Sequence, residues 1–103
     1  MCLVITRVSD WNWADWGPNQ DFGVLTNCWY YLALKAEKEF ALMLGKTDDA
    51  AQITAIMQGI EQNFDKRFWT GTAYRDPDYT KPTDDRAQAM AVLAGLASPD
   101  KYP

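Results

Sequence analysis

The sequence predicts an all-α fold in which an antiparallel helical hairpin is followed by a third helix. Apolar residues recur at spacings of three and four along two long segments, and only a few residues around Gly45 separate these segments. A third segment follows a polar loop and carries alanines at the same helical spacing. Because short connections place consecutive helices side by side, we expect the first two helices to pack antiparallel.

The first helix is predicted from about Gly23 to Leu44. Its expected buried face comprises Leu25, Cys28, Trp29, Leu32, Ala36, Phe40 and Met43. Gly45 suits the position after the helix, since glycine adopts a left-handed backbone without steric cost. Tyr31 and Leu34 lie off this stripe together with Tyr30, so the helix presents more apolar surface than one neighbouring helix covers.

The sequence predicts where the second and third helices begin and which faces they bury. We expect Thr47 to cap the second helix, which runs to about Lys66 and buries Ile53, Ile56, Met57, Ile60 and Phe64. Thr83 is the expected cap of the third, which Ser98-Pro99 ends. An acidic pair follows each cap, where carboxylates oppose the positive end of the helix dipole. The face of the third helix consists of small and apolar residues, namely Ala87, Met90, Ala91, Ala94 and Leu96.

Two polar, aromatic loops are predicted to lie at one rim of this array. Residues 1–20 form an N-terminal extended or loop segment, in which Leu3-Val4-Ile5-Thr6 is equally compatible with a strand and with extended coil. Residues 72–82 form the second loop. Because helices one and three start at the same end of an up-and-down array, the loops that precede them should meet there.

The expected domain organisation is a single partial domain over residues 1–103, with the three helices in residues 21–98. Three helices with broad apolar faces expose more apolar surface than they cover mutually, and a barrel or solenoid of hairpins would bury the remainder. We therefore expect a fragment whose partner is the rest of a larger helical domain. The uncovered faces also predict self-association of the isolated chain.

Composition excludes several classes of function. The net charge is -4 without a basic patch, which argues against nucleic acid as a partner, and no apolar stretch is long enough to predict a membrane span. The absence of histidine removes His-based triads and the commonest metal ligand. Cys2 and Cys28 lack metal-ligand spacing, and whether they pair is left open. We expect no metal and no cofactor.

A cluster of tryptophan and acidic residues in 10–17 is the strongest candidate for a binding site. The segment reads Asp10-Trp11-Asn12-Trp13-Ala14-Asp15-Trp16-Gly17 and holds three of the five tryptophans of the chain. Sugars present apolar C–H faces that suit Trp rings and hydroxyls that suit carboxylates and amides, so the cluster favours a carbohydrate ligand. The alternative is that these rings pack over the helix ends, since tryptophan is also a residue of cores.

No catalytic residue is predicted within the chain. Glycoside hydrolysis normally needs two carboxylates. The three glutamates, Glu37, Glu39 and Glu61, lie on polar helix faces where solvation is the simpler interpretation, and no pair stands out among the loop aspartates Asp10, Asp15, Asp21, Asp76 and Asp78. Asp84-Asp85-Arg86 is typical of capping and ion pairing, and Gln88 is placed to point inward as a hydrogen-bonding group.

Five motifs, in their order and spacing, resemble the α-L-rhamnosidases of glycoside hydrolase family 78. The resemblance extends from about Ser9 to Pro103. It rests on Trp13-Ala14-Asp15-Trp16-Gly17, Trp29-Tyr30-Tyr31-Leu32-Ala33, Leu44-Gly45-Lys46 with Asp48-Asp49, Phe64-Asp65-Lys66-Arg67-Phe68-Trp69, and Asp84-Asp85-Arg86-Ala87-Gln88-Ala89 with Gly95-Leu96.

The resemblance implies a segment of an (α/α)6 barrel of six helical hairpins that cleaves terminal α-L-rhamnose with inversion. In that family the general acid lies upstream of this loop and the glutamate base downstream, and neither motif occurs in this chain, so the chain alone is expected to be inactive. Asp15 and Trp16, and more loosely Trp13, would help to bind the rhamnoside. Ala14 departs from the glycine of many members, which puts the backbone of this loop in doubt. Bacterial enzymes of this kind are often periplasmic or secreted.

Two other functions are compatible with the residues. A stand-alone helical interaction module of the tetratricopeptide kind would explain the helical hairpin, although no repeat of the segment from Trp29 to Phe64 is visible. Another six-hairpin carbohydrate enzyme, such as an unsaturated glycuronyl hydrolase or a trehalase, would explain both the helices and the aromatic loop.

Overall fold

The structure, a computed structural model, describes residues 2–5 and 17–102. Three helices dominate this part of the chain: α1 (Phe22–Met43), α2 (Thr47–Phe68) and α3 (Asp85–Ala94). A short 3-10 helix, Pro99–Lys101, follows, and an isolated antiparallel bridge joins Trp69 to Tyr74. No strand forms among the described residues, and the predicted all-α fold is confirmed. None of these helices is long and apolar enough to cross a membrane.

Helix α1 is the common partner of the other two helices. It packs against both α2 and α3. The turn to α2 is closed by hydrogen bonds from the Lys46 and Gly45 amides to the carbonyls of Ala41 and Leu42, with Gly45 at φ 71. This is the predicted glycine-dependent helix end. Farther along the pair, the Tyr31 hydroxyl donates to the Glu61 carboxylate, 30 positions away, so the two helices run side by side as a hairpin.

The core lies where the three helices meet. The side chains of Val24, Cys28, Ile60 and Phe64 are at most 1% exposed. Ala87, Ala91 and Ala94 of α3 are fully buried, which confirms the predicted small-residue face and allows α3 to approach α1 closely. The buried face of α2 also agrees with prediction except at Ile56, which is 37% exposed.

The predicted buried face of α1 is confirmed at Leu25 and Cys28 and wrong farther along the helix. Trp29, Phe40 and Met43 were expected inside but are 53%, 64% and 78% exposed, and Ala36 is exposed as well. Tyr31 and Leu34, expected off the stripe, are buried. The exposure of the C-terminal residues follows from the unequal lengths of the two helices that pack against α1. At 1.5 Å per residue, α3 spans about 15 Å and α1 about 33 Å, so the C-terminal part of α1 faces no third helix.

Several predicted helix ends also shift. Thr47 is the first residue of α2 rather than its cap, and the cap residue Lys46 makes no side-chain hydrogen bond there. Asp84, not Thr83, caps α3, because its carboxylate accepts the Arg86 amide. Helix α3 ends at Ala94 rather than at Ser98, since Gly95 at φ 82 turns the backbone before the proline is reached. Helix α2 continues two residues beyond the predicted Lys66.

The N-terminal segment attaches to α1 through one side chain. The Val4 amide donates to Asn27 Oδ1 at 2.8 Å, and Asn27 Nδ2 donates to the Val4 carbonyl at 3.0 Å. Asn27 is completely buried, and the neighbouring Leu3 is only 9% exposed. The amide of Asn27 therefore bonds both backbone groups of Val4, as a neighbouring strand would, and residues 2–5 form coil rather than a strand.

Both cysteines are free. Cys2 is exposed and Cys28 is buried, which agrees with the interpretation of Cys28 as a buried thiol. Burial, with a smaller contribution from the negative charge of Asp21, raises the pKa of Cys28 to about 12. The Cys28 thiol is therefore neutral and unreactive at ordinary pH.

We expect Asn27→Ala to lower the free energy of unfolding by about 1–3 kcal/mol, because it removes both hydrogen bonds that join Val4 to α1. Urea denaturation measures this. Asn63→Ala is the matched control, since Asn63 is half-buried and bonds only to the carbonyl of Gly59 within its own helix. A loss no larger for Asn27→Ala than for Asn63→Ala would contradict the prediction.

Candidate functional site

The N-terminal ends of α1 and α3 meet the loop after Tyr74 at one rim. The Asp21 amide donates to Asp84 Oδ2 at 2.9 Å, and the Asp76 amide donates to Asp21 Oδ2 at 2.9 Å. These two bonds join three segments that are 55 and 63 positions apart. The prediction that both loops lie at one rim is therefore confirmed for the residues from Gly17 onward.

Each carboxylate of this rim has backbone partners. Asp21 Oδ1 accepts the Val24 amide at 3.3 Å and caps α1, while Asp84 Oδ1 accepts the Arg86 amide at 3.1 Å and caps α3. Asp76 Oδ1 accepts the Asp78 amide at 2.9 Å. The three side chains thus act as caps and turn-formers.

Close packing at the rim requires a glycine. A Cβ atom added to Gly23 in the first turn of α1 would overlap the Asp76 carboxylate. The absence of a side chain at this position lets the loop at Asp76 lie directly against α1.

Burial at the rim disfavours the charged form of Asp21. Burial raises the pKa of Asp21 above its ordinary value of 3.8, and the charges of Asp76 and Asp84 add to the rise, while hydrogen bonds from the Asp76 and Val24 amides oppose it. Asp21 and Asp84 are only 1% and 4% exposed. Two nearly buried carboxylates close together keep their places because backbone amides compensate their lost hydration.

Arg86 connects α3 to the loop that precedes α1. Its Nε lies 2.9 Å from Asp84 Oδ1, and its Nη2 donates to the carbonyls of Pro18 and Asn19 at 3.4 Å each. Asn19 has φ 63 and Gly17 has φ 111, so this turn contains two left-handed residues on either side of Pro18. Arg86 therefore contacts a backbone of unusual conformation.

Arg75 plays a parallel part in the second loop. Its guanidinium donates to the carbonyls of Tyr79 and Lys81 at 2.9 and 2.7 Å and to Thr83 Oγ1 at 3.2 Å. The guanidinium also lies 5.1 Å from the centre of the Tyr79 ring. Each rim loop thus has an arginine that donates to its backbone carbonyls.

Gln88 points inward, as predicted, but its role is structural. Its Oε1 accepts the Tyr74 amide and its Nε2 donates to the Tyr74 carbonyl, each at 2.7 Å. The Tyr74 ring packs against Phe64 and Trp69, and its hydroxyl donates to Asp65 at 2.8 Å. Gln88 therefore fixes the start of the second loop on α3. A mostly apolar cavity of about 470 Å³ lies beside this contact, with Trp69 and Val92 in its walls.

The predicted sugar-contacting residues, Trp13, Asp15 and Trp16, lie outside the described residues, as does Asp10. Among the remaining acidic candidates, the structure brings Asp21 and Asp76 together and leaves Asp78 exposed. Glu37 and Glu39 are solvent-exposed as expected. Glu61 is exposed too, but it accepts the hydroxyl of Tyr31, a contact that the sequence did not indicate.

Sequence reasoning missed the joining of the two loops by Asp84 and Arg86. An aspartate before a helix predicts a cap, and the sequence alone supports that prediction. The second carboxylate oxygen of Asp84 and the guanidinium of Arg86 act across more than 60 positions, and nothing local indicates such contacts.

The described rim residues arrange and hold loops. Within residues 2–5 and 17–102, no group of three or more His, Cys, Asp or Glu side chains is placed to hold a metal ion. The arrangement presents two neighbouring loops, one of which continues directly into the Trp/Asp cluster.

The comparison with protein families assigns the chain. A family described as the bacterial alpha-L-rhamnosidase 6 hairpin glycosidase domain matches residues 4–102. The chain belongs to this family. The resemblance found in the motifs is confirmed, and α1, α2 and α3 form part of a six-hairpin glycosidase domain. Comparisons with curated proteins and with solved structures found no match.

Membership of this six-hairpin glycosidase family indicates the general class of the chain. The chain is a glycoside hydrolase-like segment, in which α1 and α2 form a helical hairpin.

We expect the Asp21 carboxyl to titrate above 3.8, as measured by NMR of its side-chain carbonyl carbon. Because the folded pKa exceeds the unfolded one, the folded state binds more protons between the two values. The contribution of Asp21 to stability is therefore most favourable below about pH 3.8 and falls as the pH rises through the folded pKa. A midpoint at or below 3.8 would show that hydrogen bonding outweighs burial.

Proposed function

We propose that this chain supplies part of the sugar-binding wall of a glycoside hydrolase that cleaves terminal α-L-rhamnose by an inverting acid/base mechanism. Asp15 and Trp16, and more loosely Trp13, are the residues proposed to contact the sugar. The general acid and base are proposed to lie in other segments of the parent enzyme, so the isolated chain binds but does not hydrolyse.

The observation that carries this proposal is the anchoring of the turn at Pro18 and Asn19 beside the N-terminus of α3. Arg86 holds both carbonyls of this turn, and the Asp21 amide is bonded to Asp84. Trp16 and Asp15 immediately precede Gly17 in the sequence. The Trp/Asp cluster thus leads into a fixed turn at a rim where a second polar loop, around Asp76 and Tyr79, is also held.

The residue chemistry supports a sugar ligand at this rim. A tryptophan ring covers the C–H face of a pyranose, and an adjacent carboxylate accepts its hydroxyl protons. The rim carboxylates at Asp21 and Asp84 are already bound by backbone amides, which suits them to capping. An inverting enzyme uses two carboxyl groups about 6.5–9.5 Å apart with a water between them, and the proposal assigns that pair to segments outside this chain.

The binding experiment uses the full 103-residue chain, titrated with L-rhamnose and followed by NMR of the tryptophan indole protons. We expect saturable binding by the natural chain. Asp15→Asn and Trp16→Ala should weaken the affinity about tenfold, equivalent to about 1.4 kcal/mol. An aryl α-L-rhamnoside incubated with the same chain should not be hydrolysed.

Trp29→Ala is the matched control, because Trp29 is half exposed on α1 and outside the Trp/Asp cluster. It should leave the affinity unchanged. D-glucose and a uronic acid test the other carbohydrate specificities. Equal affinity for all three sugars, or no effect of Asp15→Asn and Trp16→Ala, would remove the support for a rhamnose site. Turnover that is lost in Asp15→Asn would show that the chain carries catalysis itself.

We further propose that the rest of the catalytic barrel covers the apolar surface at the end of the α1–α2 hairpin. Phe40, Met43 and Leu44 are 64%, 78% and 71% exposed and lie close together along the end of α1. Exposed apolar clusters on a monomer favour association. In the isolated chain, a second copy is expected to occupy this surface.

Sedimentation velocity tests this expectation over a range of concentrations. The natural chain should self-associate, and the double variant Phe40→Glu with Leu44→Glu should be monomeric. Gln58→Glu with Gln62→Glu changes the charge equally on an exposed part of α2 and should not affect association. A monomeric natural chain at all concentrations would contradict the proposal.

A further inference from the structure

We propose that the cavity beside Trp69 and Val92 is a further binding site, which takes a small, uncharged aromatic compound. The cavity has a volume of about 470 Å³ and mostly apolar walls. The wall residues on which the argument depends are Trp69, Tyr74, Ala89, Val92, Ala97 and Lys101. The inference goes beyond the proposed function and does not depend on it, because all of these residues lie outside the Trp/Asp cluster.

The cavity lies between α3 and residues 69–74, the segment that follows α2. Among the described helices, α2 and α3 each pack against α1 and not against each other. Two side chains bridge the gap: Gln88 of α3 bonds the backbone of Tyr74, and Lys101 lies 3.0 Å from Asp65 of α2. The gap is thus spanned without being filled. Its volume falls within the range of about 300–1,000 Å³ that is usual for small-ligand sites.

The walls of the cavity are fixed in place by contacts of their own. The Ala97 side chain is 5% exposed, and the side chain of Lys101, held by Asp65, is 13% exposed. An antiparallel bridge between Trp69 and Tyr74 holds the opposite wall. A ligand that enters such a cavity has little protein to order, which removes one of the usual costs of binding.

A series of aromatic rings leads from the core to the cavity. The ring centre of Phe64 lies 5.2 Å from that of Tyr74, which lies 5.0 Å from that of Trp69. Rings about 4.5–7 Å apart attract each other beyond the effect of the area that they bury. Trp69 is half-buried and stands at the cavity end of the series. An aromatic guest would therefore extend the series by one ring.

The polar groups nearest the cavity already have partners within the chain. Gln88 uses its amide oxygen and nitrogen on the backbone of Tyr74, and the Tyr74 hydroxyl donates to Asp65. The ammonium group of Lys101 is paired with the same carboxylate. An anionic guest would compete with Asp65 for Lys101, and a cationic guest would be repelled by Lys101. The cavity therefore favours an uncharged guest that is held by its ring.

The first test titrates the full 103-residue chain with indole and follows the methyl NMR signals of Val92 and Ala97. We expect both signals to shift saturably, while that of Val24 in the core stays unchanged. Val92→Trp fills the cavity from an exposed position and should weaken binding at least about tenfold. Leu93→Trp is the matched control, because Leu93 is 68% exposed on α3 and does not line the cavity. It should bind indole as the natural chain does.

Three outcomes of this titration would overturn the proposal. A lack of saturable shifts at Val92 and Ala97 would show that the cavity takes no aromatic guest. Equal weakening by Val92→Trp and Leu93→Trp would show that indole binds elsewhere on the surface of α3. Shifts of the same methyl signals when the free chain is diluted would show that a second copy occupies the cavity.

The second test compares indole with indole-3-acetate and tryptamine, which carry the same ring with a negative and a positive group. Both should bind at least about threefold more weakly than indole. Tighter binding of either compound would overturn the assignment of an uncharged guest. Should Val92→Trp not fold, Ala89→Trp fills the same cavity from another exposed position and carries the comparison.

Discussion

The two carboxylate oxygens of Asp84 make the contacts on which the rim depends. One oxygen accepts the amide of Asp21 and so determines where α1 begins relative to α3. The other accepts the amide and Nε of Arg86, which caps α3 and orients the guanidinium. Helix capping is usually local to one helix. Here a single cap also sets the spacing of two helix starts and, through them, of two loops.

This arrangement depends on exchanging water for backbone hydrogen bonds. Asp21 and Asp84 lie almost without solvent contact, and the proximity of Asp84 adds to the rise in the pKa of Asp21. Amides from the starts of α1 and α3 and from Asp76 replace the lost hydration. The charge of Arg86 beside Asp84 offsets part of the repulsion. Hydrogen bonding thus offsets part of the cost of burying these carboxylates, and burial remains the larger effect at Asp21, whose pKa it raises.

The sequence was sufficient for the features that arise within one element. Three helices, the glycine turn at Gly45 and the small face of α3 follow from periodicity and backbone preference, and the structure confirms them. The choice of buried residues on α1 did not follow, because Tyr31 and Trp29 are both large aromatic residues and only the positions of α2 and α3 decide which is buried. Thr83 and Asp84 are both good caps, and the choice depended on Asp21, 63 positions away.

The candidate site, too, could be predicted from the sequence only in part. Motif resemblance was enough to identify the family, and the helix count placed both loops at one rim. The contacts of Asp84, Arg86 and Arg75 with those loops could not be read, since each joins a side chain to a carbonyl or amide whose position depends on the fold. The Asp15 and Trp16 assignment stays a prediction, because these residues lie outside the described part of the chain.

Asn27 has a consequence for the attachment of the N-terminal segment. It binds Val4 by two hydrogen bonds from a fully buried position on α1. Residues 2–5 therefore keep their place only while α1 stays packed against its neighbours. Local opening of α1 would release these residues with it, so the segment belongs to the same cooperative unit as the core.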